Sequence, residues 1–204
     1  MIKDFIVVKD VFDNVDEILQ MAYLQNYAPR ETHYQNAKGR SNFQGIRSKH
    51  LADIGLNHEL YHKVNKAIFD KIFQQAFPEE HVPVQFGYEY ETSCYFHVLR
   101  EQDQYNDNWL HKDNNCILAG VVYLNRNPQE NTGTIVYKNG KEIIVPNEFN
   151  KLVLYSPTYL HSAQRGFGQT AQDGRLTLTF FINAFRFRLN AAFGESDGIP
   201  GSGA

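Results

Sequence analysis

Two short stretches of this chain have the residue types and spacing to hold a metal ion. "HELYH" at 58–62 matches H-E-x-x-H, which sets two imidazoles on one helix face with a glutamate beside them, the arrangement used for zinc-dependent peptide hydrolysis. "HKD" at 111–113 works differently. In extended backbone, residues i and i+2 project to the same side, so His111 and Asp113 point together while Lys112 points away.

The two stretches make different demands on the rest of the sequence. A zinc peptidase needs a third ligand and an open coordination position. The extended form of its motif requires Gly and His where Asn65 and Ile68 stand, and the nearest glutamates, Glu79 and Glu80, directly follow Pro78. His58 and His62 also lie off the apolar stripe of Leu60, Val64 and Ala67, so solvated surface histidines are expected there.

His111 and Asp113 need one further ligand from a separate strand. His161, in "YSPTYLHSAQRG", meets this need, because the intervening chain accommodates about four short strands that go up and down a barrel and return to the same end. Two histidines and one carboxylate on one face of an ion are the facial triad of non-haem iron chemistry. Arg175 then opens the run "RLTLTFFI", whose alternation puts Arg175, Thr177 and Thr179 on one face and Leu176 and Leu178 on the other. A buried guanidinium beside threonine hydroxyls is suited to clamping a carboxylate.

The elements that must position these residues can be read from the chain. "FIVVK" (5–9) predicts a strand, and the acidic start of "NVDEILQMAYLQN" followed by Ile18, Met21, Ala22 and Leu24 predicts a helix. Residues 26–50 are polar and read as a long loop. A second helix is expected over about 57–76, ended by Pro78. From Val82 the sequence turns to short runs dense in β-branched and aromatic residues: "VPVQFGYEY", "TSCYFHVLR", "CILAGVVYLN", "GTIVYK", "EIIVP", "KLVLYS" and "RLTLTFFINAF". Asn139-Gly140 between two of them is a type I′ hairpin signal. The expected class is α+β, with residues 1–81 a helical elaboration, 82–190 a β-sandwich or small barrel, and 191–204 a flexible tail.

From about Thr92 to Phe185 the chain resembles the Fe(II)/2-oxoglutarate-dependent dioxygenases, and within them the prolyl-hydroxylase-like branch. The resemblance is carried by "HKD", by "ILAGVVYLN" with its Tyr-Leu-Asn ending, by "NTGTIVY" with Gly133 before Thr134, by His161 and by Arg175. It implies a double-stranded β-helix (jelly-roll, cupin-like) core with the N-terminal helices packed on it. It also implies Fe(II) on His111, Asp113 and His161, with 2-oxoglutarate and O2 as cosubstrates and ascorbate as an accessory reductant. Arg175 would pair with the distal carboxylate of 2-oxoglutarate, helped by Thr179 or Thr177 and by Tyr123. Tyr95 or His97 would reach its other end. A retained carboxylate ligand implies hydroxylation rather than halogenation. The chain lacks the Tyr-x-x-Gly element that usually precedes H-x-D in the family, so the substrate does not carry over. A protein or peptide side chain, peptidyl-proline included, is the favoured class, with a small molecule as the other. Arg40 and Arg47, in the loop 26–48, are candidate contacts for an acidic group on the substrate.

Composition narrows the alternatives. A formal net charge of −3 over 204 residues disfavours nucleic acid as a partner. Two cysteines, Cys94 and Cys116, argue for a reducing compartment and read as core filler. The N-terminus has too short an apolar run for a signal peptide, and no stretch approaches the roughly 20 apolar residues of a membrane span, so a cytoplasmic protein is expected. The rival from another class is a cupin-like protein that binds a metal or a sugar without redox chemistry. Such a module has no need of a buried carboxylate clamp at Arg175.

Overall fold

Alternation over the paired central stretches of two long strands, Phe86–Leu99 and Arg175–Leu189, organises the molecule. In the first, Cys94, Phe96 and Val98 face the hydrophobic core while Ser93, Tyr95 and His97 face a cleft. In the second, Leu176, Leu178, Phe180 and Ile182 face the core while Arg175, Thr179, Phe181 and Asn183 face the cleft. A computed structural model describes residues 3–33, 43–53, 58–76, 86–103 and 109–189. In chain order its elements are β1 (Phe5–Val8), α1 (Val15–Tyr23), β2 (Ala28–Pro29), α2 (Arg30–His33), β3 (Ile46–Arg47), α3 (His58–Ala76), β4 (Phe86–Leu99), β5 (Leu118–Tyr123), β6 (Thr134–Lys138), β7 (Lys141–Val145), β8 (Lys151–Tyr155), β9 (Leu160–Ala163) and β10 (Arg175–Leu189).

The strands form two antiparallel sheets, one of seven in the order β1-β8-β5-β10-β4-β3-β2 and one of three in the order β7-β6-β9. The Asn139-Gly140 turn joins β6 to β7 with both residues at positive φ (52° and 75°), as a type I′ turn requires. On the face of the large sheet away from the cleft lie α1 and α3. Leu60, Val64, Ile68, Phe69 and Ile72 form the buried stripe of α3 and join Ile18 and Leu19 of α1 and Phe96, Leu178 and Phe180 of the sheet in one core. Each such burial contributes roughly 1.5–3 kcal/mol. Among the described residues no helix is long and apolar enough to cross a membrane.

Several local expectations change. Residues 26–50 are not a plain loop: β2 pairs with β3, and β3 pairs with β4 at Ile46↔Val98 and Arg47↔His97, so this segment extends the large sheet. Its polarity is misleading because β2 and β3 have only two residues each and draw their order from β4. Gly45 makes the approach possible. Its φ is +76°, and a Cβ there would lie 2.2 Å from the Val98 carbonyl oxygen. The part of "VPVQFGYEY" from Phe86 onward and "TSCYFHVLR" up to Leu99 share one continuous strand, β4, because β10 pairs along its whole length with a single register shift between Ile182 and Ala184. Leu24 is exposed, and Leu19 takes its place in the core. β1 pairs with β8 and belongs to the large sheet. The 81/82 boundary and the tail 191–204 lie outside the described residues.

Candidate active site

His161 sits in β9 of the small sheet. His111 precedes β5 and meets His161 through an isolated antiparallel bridge, with its N–H donating to the His161 carbonyl at 3.1 Å and the reverse bond at 3.0 Å. Two residues on, the Asp113 N–H donates to the Pro157 carbonyl at 3.1 Å. The bridge covers one residue of the H-K-D segment and Asp113 is outside any strand, yet the backbone still delivers both side chains to one point.

At that point the ligand atoms of His111, Asp113 and His161 all lie within 4.8 Å of one another. The hydrogen bonds behind them select the tautomers. Nδ1 of His111 is 3.0 Å from the Trp109 carbonyl, and Nδ1 of His161 is 2.9 Å from the Tyr159 carbonyl. A carbonyl only accepts, so each Nδ1 carries a proton, which leaves Nε2 as the inward-facing nitrogen that would ligate an ion. There, His161 Nε2 lies 3.1 Å from Asp113 Oδ2, and His111 Nε2 lies 3.9 Å from Asp113 Oδ1. Lone pairs and a carboxylate facing one another at this range are stabilised by a cation. Burial, and then the neighbouring His161, lowers the pKa of His111, which favours the neutral ligand form. The donor set fits a hard-to-borderline divalent ion such as Fe(II). Tyr155 packs against the His161 ring, with centroids 4.4 Å apart and the planes tilted by 44°, and limits how that ring can turn. The sequence reading missed Tyr155. Its alternation with Val153 along "KLVLYS", opposite Leu152 and Leu154, was the available signal.

The three residues open onto a cleft of about 850 Å³ that is also lined by Arg175, Thr179, Tyr95, His97 and Arg47. Arg175 is 2% exposed, with Nε donating to the Thr132 carbonyl at 2.6 Å and Nη2 to the Gly133 carbonyl at 3.1 Å. These bonds hold the guanidinium plane. They also give Gly133 a role, since a Cβ there would lie 2.1 Å from the Val145 carbonyl oxygen. Asn125, the end of the Tyr-Leu-Asn run, donates to the Gly174 carbonyl and accepts from the Leu176 N–H, gripping the backbone on both sides of Arg175. Thr179 Oγ1 is buried and has no hydrogen-bond partner among the described residues. A hydroxyl in that state costs about 1–3 kcal/mol, which a bound oxygen-rich ligand would offset. The donors and the unsatisfied hydroxyl therefore fit a small carboxylate.

The remaining expected contacts fall in different places. Tyr123 is fully buried behind the cleft, its hydroxyl 2.7 Å from Thr134 Oγ1 and 3.2 Å from the Val145 carbonyl oxygen, and its ring 5.7 Å from the Arg175 guanidinium carbon. Thr177 is buried, with its hydroxyl 3.5 Å from the His97 carbonyl oxygen. Tyr95 and His97 both face the cleft, but His97 Nε2 donates to the Gln44 carbonyl at 2.5 Å. Burial, then the charge of Arg47, pushes the His97 pKa down to about 3. Arg47 stacks on Phe43 at 4.3 Å and on Tyr95 at 5.3 Å. Arg40, Glu79, Glu80 and the His58 side chain lie outside the described residues. His62 is exposed and bonds the Tyr90 hydroxyl at 2.7 Å, while Glu59 pairs with Lys63 at 3.2 Å. Cys94 is in the core and Cys116 borders the cleft, with burial raising both thiol pKa values, Cys116 to about 11.

No protein-family model matches the chain, and no curated protein matches it in sequence. Solved structures match it in three dimensions. A 2OG-Fe(II) oxygenase family oxidoreductase from Burkholderia pseudomallei aligns with a TM-score of 0.56 at 10% identity, over 88% of this chain and 84% of that one. A prolyl hydroxylase from Trichoplax adhaerens, in complex with a hypoxia inducible factor oxygen degradation domain peptide, gives 0.53 at 12% identity over 88% and 83%. The non-heme alpha-ketoglutarate-dependent epimerase SnoN of nogalamycin biosynthesis gives 0.53 at 16% identity over 100% and 85%. At these identities the likeness is one of fold: the chain has the α+β, double-stranded β-helix architecture of these oxygenases.

Proposed function

We propose that this protein is an Fe(II)- and 2-oxoglutarate-dependent oxygenase that hydroxylates a C–H bond. The observation that carries this reading is the coexistence, in one cleft, of a His-Asp-His ligand cluster, a buried arginine and, further along the same strand, a buried threonine hydroxyl without a hydrogen-bond partner among the described residues. A metal- or sugar-binding module of similar fold would use the first and have no use for the second.

His111, Asp113 and His161 would hold the iron, with the Trp109 and Tyr159 carbonyls fixing the imidazole tautomers. Arg175 and Thr179 would hold the distal carboxylate of 2-oxoglutarate, with Thr177 and Tyr123 bracing that wall from behind. Tyr95 is better placed than His97 for the other end, because the His97 N–H is committed to Gln44. When bound, iron and 2-oxoglutarate together supply O2 activation, at the cost of decarboxylating the keto acid. A protein or peptide side chain, including peptidyl-proline, is the substrate class we favour, in keeping with the fold likeness to a prolyl hydroxylase that binds a peptide.

The test needs no substrate. Anaerobic addition of Fe(II) and then 2-oxoglutarate should produce the visible charge-transfer band of an iron–keto-acid chelate. The band should be absent in Asp113→Ala and should require far more 2-oxoglutarate in Arg175→Ala. A folded, iron-loaded wild-type protein with no band would refute the reading.

A further inference from the structure

We propose that Asp4 is a positioning residue for the metal site, holding from outside the turn whose main-chain carbonyls set Asp113 and His161 in place. The inference rests on the oxygenase reading above, which gives those residues a metal to bind. Three sets of contacts lead to it. First, turn 156–159 serves two of the three ligands. The Pro157 carbonyl accepts the Asp113 N–H at 3.1 Å, and the Tyr159 carbonyl accepts the His161 Nδ1–H at 2.9 Å. His111 is tied in turn to His161 by the main-chain bridge. A displacement of this turn therefore reaches all three side chains.

Second, Asp4 grips that turn at both ends. Its carbonyl accepts the Ser156 N–H at 2.8 Å, one step beyond the Phe5↔Tyr155 pair that ends the β1–β8 ladder. Its Oδ2 accepts a hydrogen bond from the Tyr159 hydroxyl. Tyr159 thus presents its side chain to Asp4 and its carbonyl to His161, so a single residue transmits the position of one to the other. The turn is also closed on itself. The Tyr159 N–H donates to the Ser156 carbonyl at 3.0 Å, and the Ser156 and Thr158 hydroxyls are hydrogen-bonded at 2.8 Å. Holding its two ends consequently holds the Pro157 carbonyl between them.

Third, Asp4 is itself fixed from the other sheet. Lys138 of β6 donates from Nζ to Asp4 Oδ1 at 2.7 Å, and the same ammonium lies 5.8 Å from the Phe5 ring and 5.9 Å from the Tyr159 ring. Hydrogen bonds from Lys138 and then from Tyr159 lower the Asp4 pKa, so the group is a carboxylate at neutral pH. An exposed ion pair by itself holds little. Here it closes a ring of contacts that joins β1, β6 and the turn before β9, and that ring spans both sheets at the end where the metal ligands sit. The Ser156 bond is main chain and survives substitution of Asp4, so a variant loses only the Tyr159 and Lys138 contacts and should fold.

The test combines Mn(II) calorimetry with NMR of the metal-free protein, which reads exchange of the His161 Nδ1 proton. Wild type would be compared with Asp4→Ala, Tyr159→Phe and the double variant. Lys9→Ala is the control, since it breaks the exposed Lys9–Glu148 pair, 3.1 Å apart at the opposite end of the β1–β8 ladder. Groups that hydrogen-bond a ligand directly are worth roughly tenfold to a hundredfold in metal affinity. For Asp4, one bond further out, a loss of about three- to tenfold is expected in each single variant, with His161 proton exchange faster by a similar factor. Keto-acid affinity at saturating metal should not change, which separates positioning of the ligands from general loosening. The double variant should lose no more than Asp4→Ala, because both changes act through one hydrogen bond. Wild-type affinity and exchange in either single variant, an equal effect in Lys9→Ala, or additive losses in the double variant would overturn the proposal. Absence of Mn(II) binding in wild type would instead defeat the oxygenase reading, and the proton-exchange comparison would still decide whether Asp4 positions His161.

Discussion

His111 and His161 exchange both of their backbone hydrogen bonds, at 3.1 and 3.0 Å, although no ladder continues on either side of the pair. The relative position of the two imidazoles is therefore set by main chain, and their ring orientations by the carbonyls two residues upstream. A site built this way is preorganised before an ion arrives.

Removing a ligand side chain leaves that bridge intact, so His161→Ala and Asp113→Ala should fold and lose metal. At a hundredfold excess of ion over its dissociation constant, binding stabilises the wild type by about 2.7 kcal/mol. Thermal melts with and without Fe(II) or Mn(II) should show this shift in wild type only. A wild-type-sized shift in either variant would remove it from the ligand set.

Arg175→Met should be costly even without ligands, because the Thr132 and Gly133 carbonyls lose a charged donor. A loss of roughly 2–4 kcal/mol in denaturant unfolding is expected, together with weaker 2-oxoglutarate binding. Asn125→Ala frees the backbone on both sides of Arg175 and should weaken 2-oxoglutarate binding while leaving metal affinity unchanged. If titrations found the metal affected and the keto acid unaffected, Asn125 would not position Arg175.

Gly133→Ala should destabilise the protein by about 3 kcal/mol or more, since the new methyl would meet the Val145 carbonyl oxygen at 2.1 Å and both partners are main chain. Gly140→Ala is the control. Among the described residues nothing lies within 4 Å of a Cβ at Gly140, where the positive φ is what resists substitution, so a smaller loss is expected. Equal losses in paired unfolding curves would show that crowding at Gly133 is relieved by strand movement.

His97 makes stability depend on pH. Its folded pKa is pushed down to about 3 by burial and by Arg47, against about 6.5 when unfolded. Between those values the unfolded chain binds a proton that the folded chain refuses, so this contribution to stability is full above about pH 7 and falls as the pH drops toward 3. His97→Gln should flatten that acid limb in unfolding experiments across the window. In Arg47→Gln the His97 pKa should rise, as read by NMR of the ring protons. An unchanged value would mean that burial alone holds it.

Glu59→Gln should leave metal binding and keto-acid binding at wild-type levels, and change stability by no more than about 0.5 kcal/mol. Glu59 is 81% exposed at the side chain, and its partner Lys63 also pairs with Glu17 at 2.7 Å. Loss of metal in this variant would revive the H-E-x-x-H motif as the working site.

Periodicity alone determined much of this protein. The stripe of α3, the strands from Phe86 onward and the inward face of Arg175 and Thr179 follow from spacings of 3.6 and 2, and the Asn139-Gly140 hairpin from the positive φ its two residues tolerate, all of them local properties of the backbone. The types and order of His111, Asp113, His161 and Arg175 likewise sufficed to nominate a metal and a carboxylate clamp. Other features were decided only in three dimensions, because they depend on partners far away in sequence. Arg47 enters the cleft because β4 recruits a two-residue strand from a polar segment whose own composition predicts a loop. Tyr155 matters because β8 and β9 bring it over His161. The tautomers of both histidines, the grip of Asn125 around Arg175 and the unpartnered Thr179 hydroxyl are statements about hydrogen-bond partners. No periodicity encodes such pairings: residue order specifies which groups are available, and only the closing of the sheets specifies which of them meet.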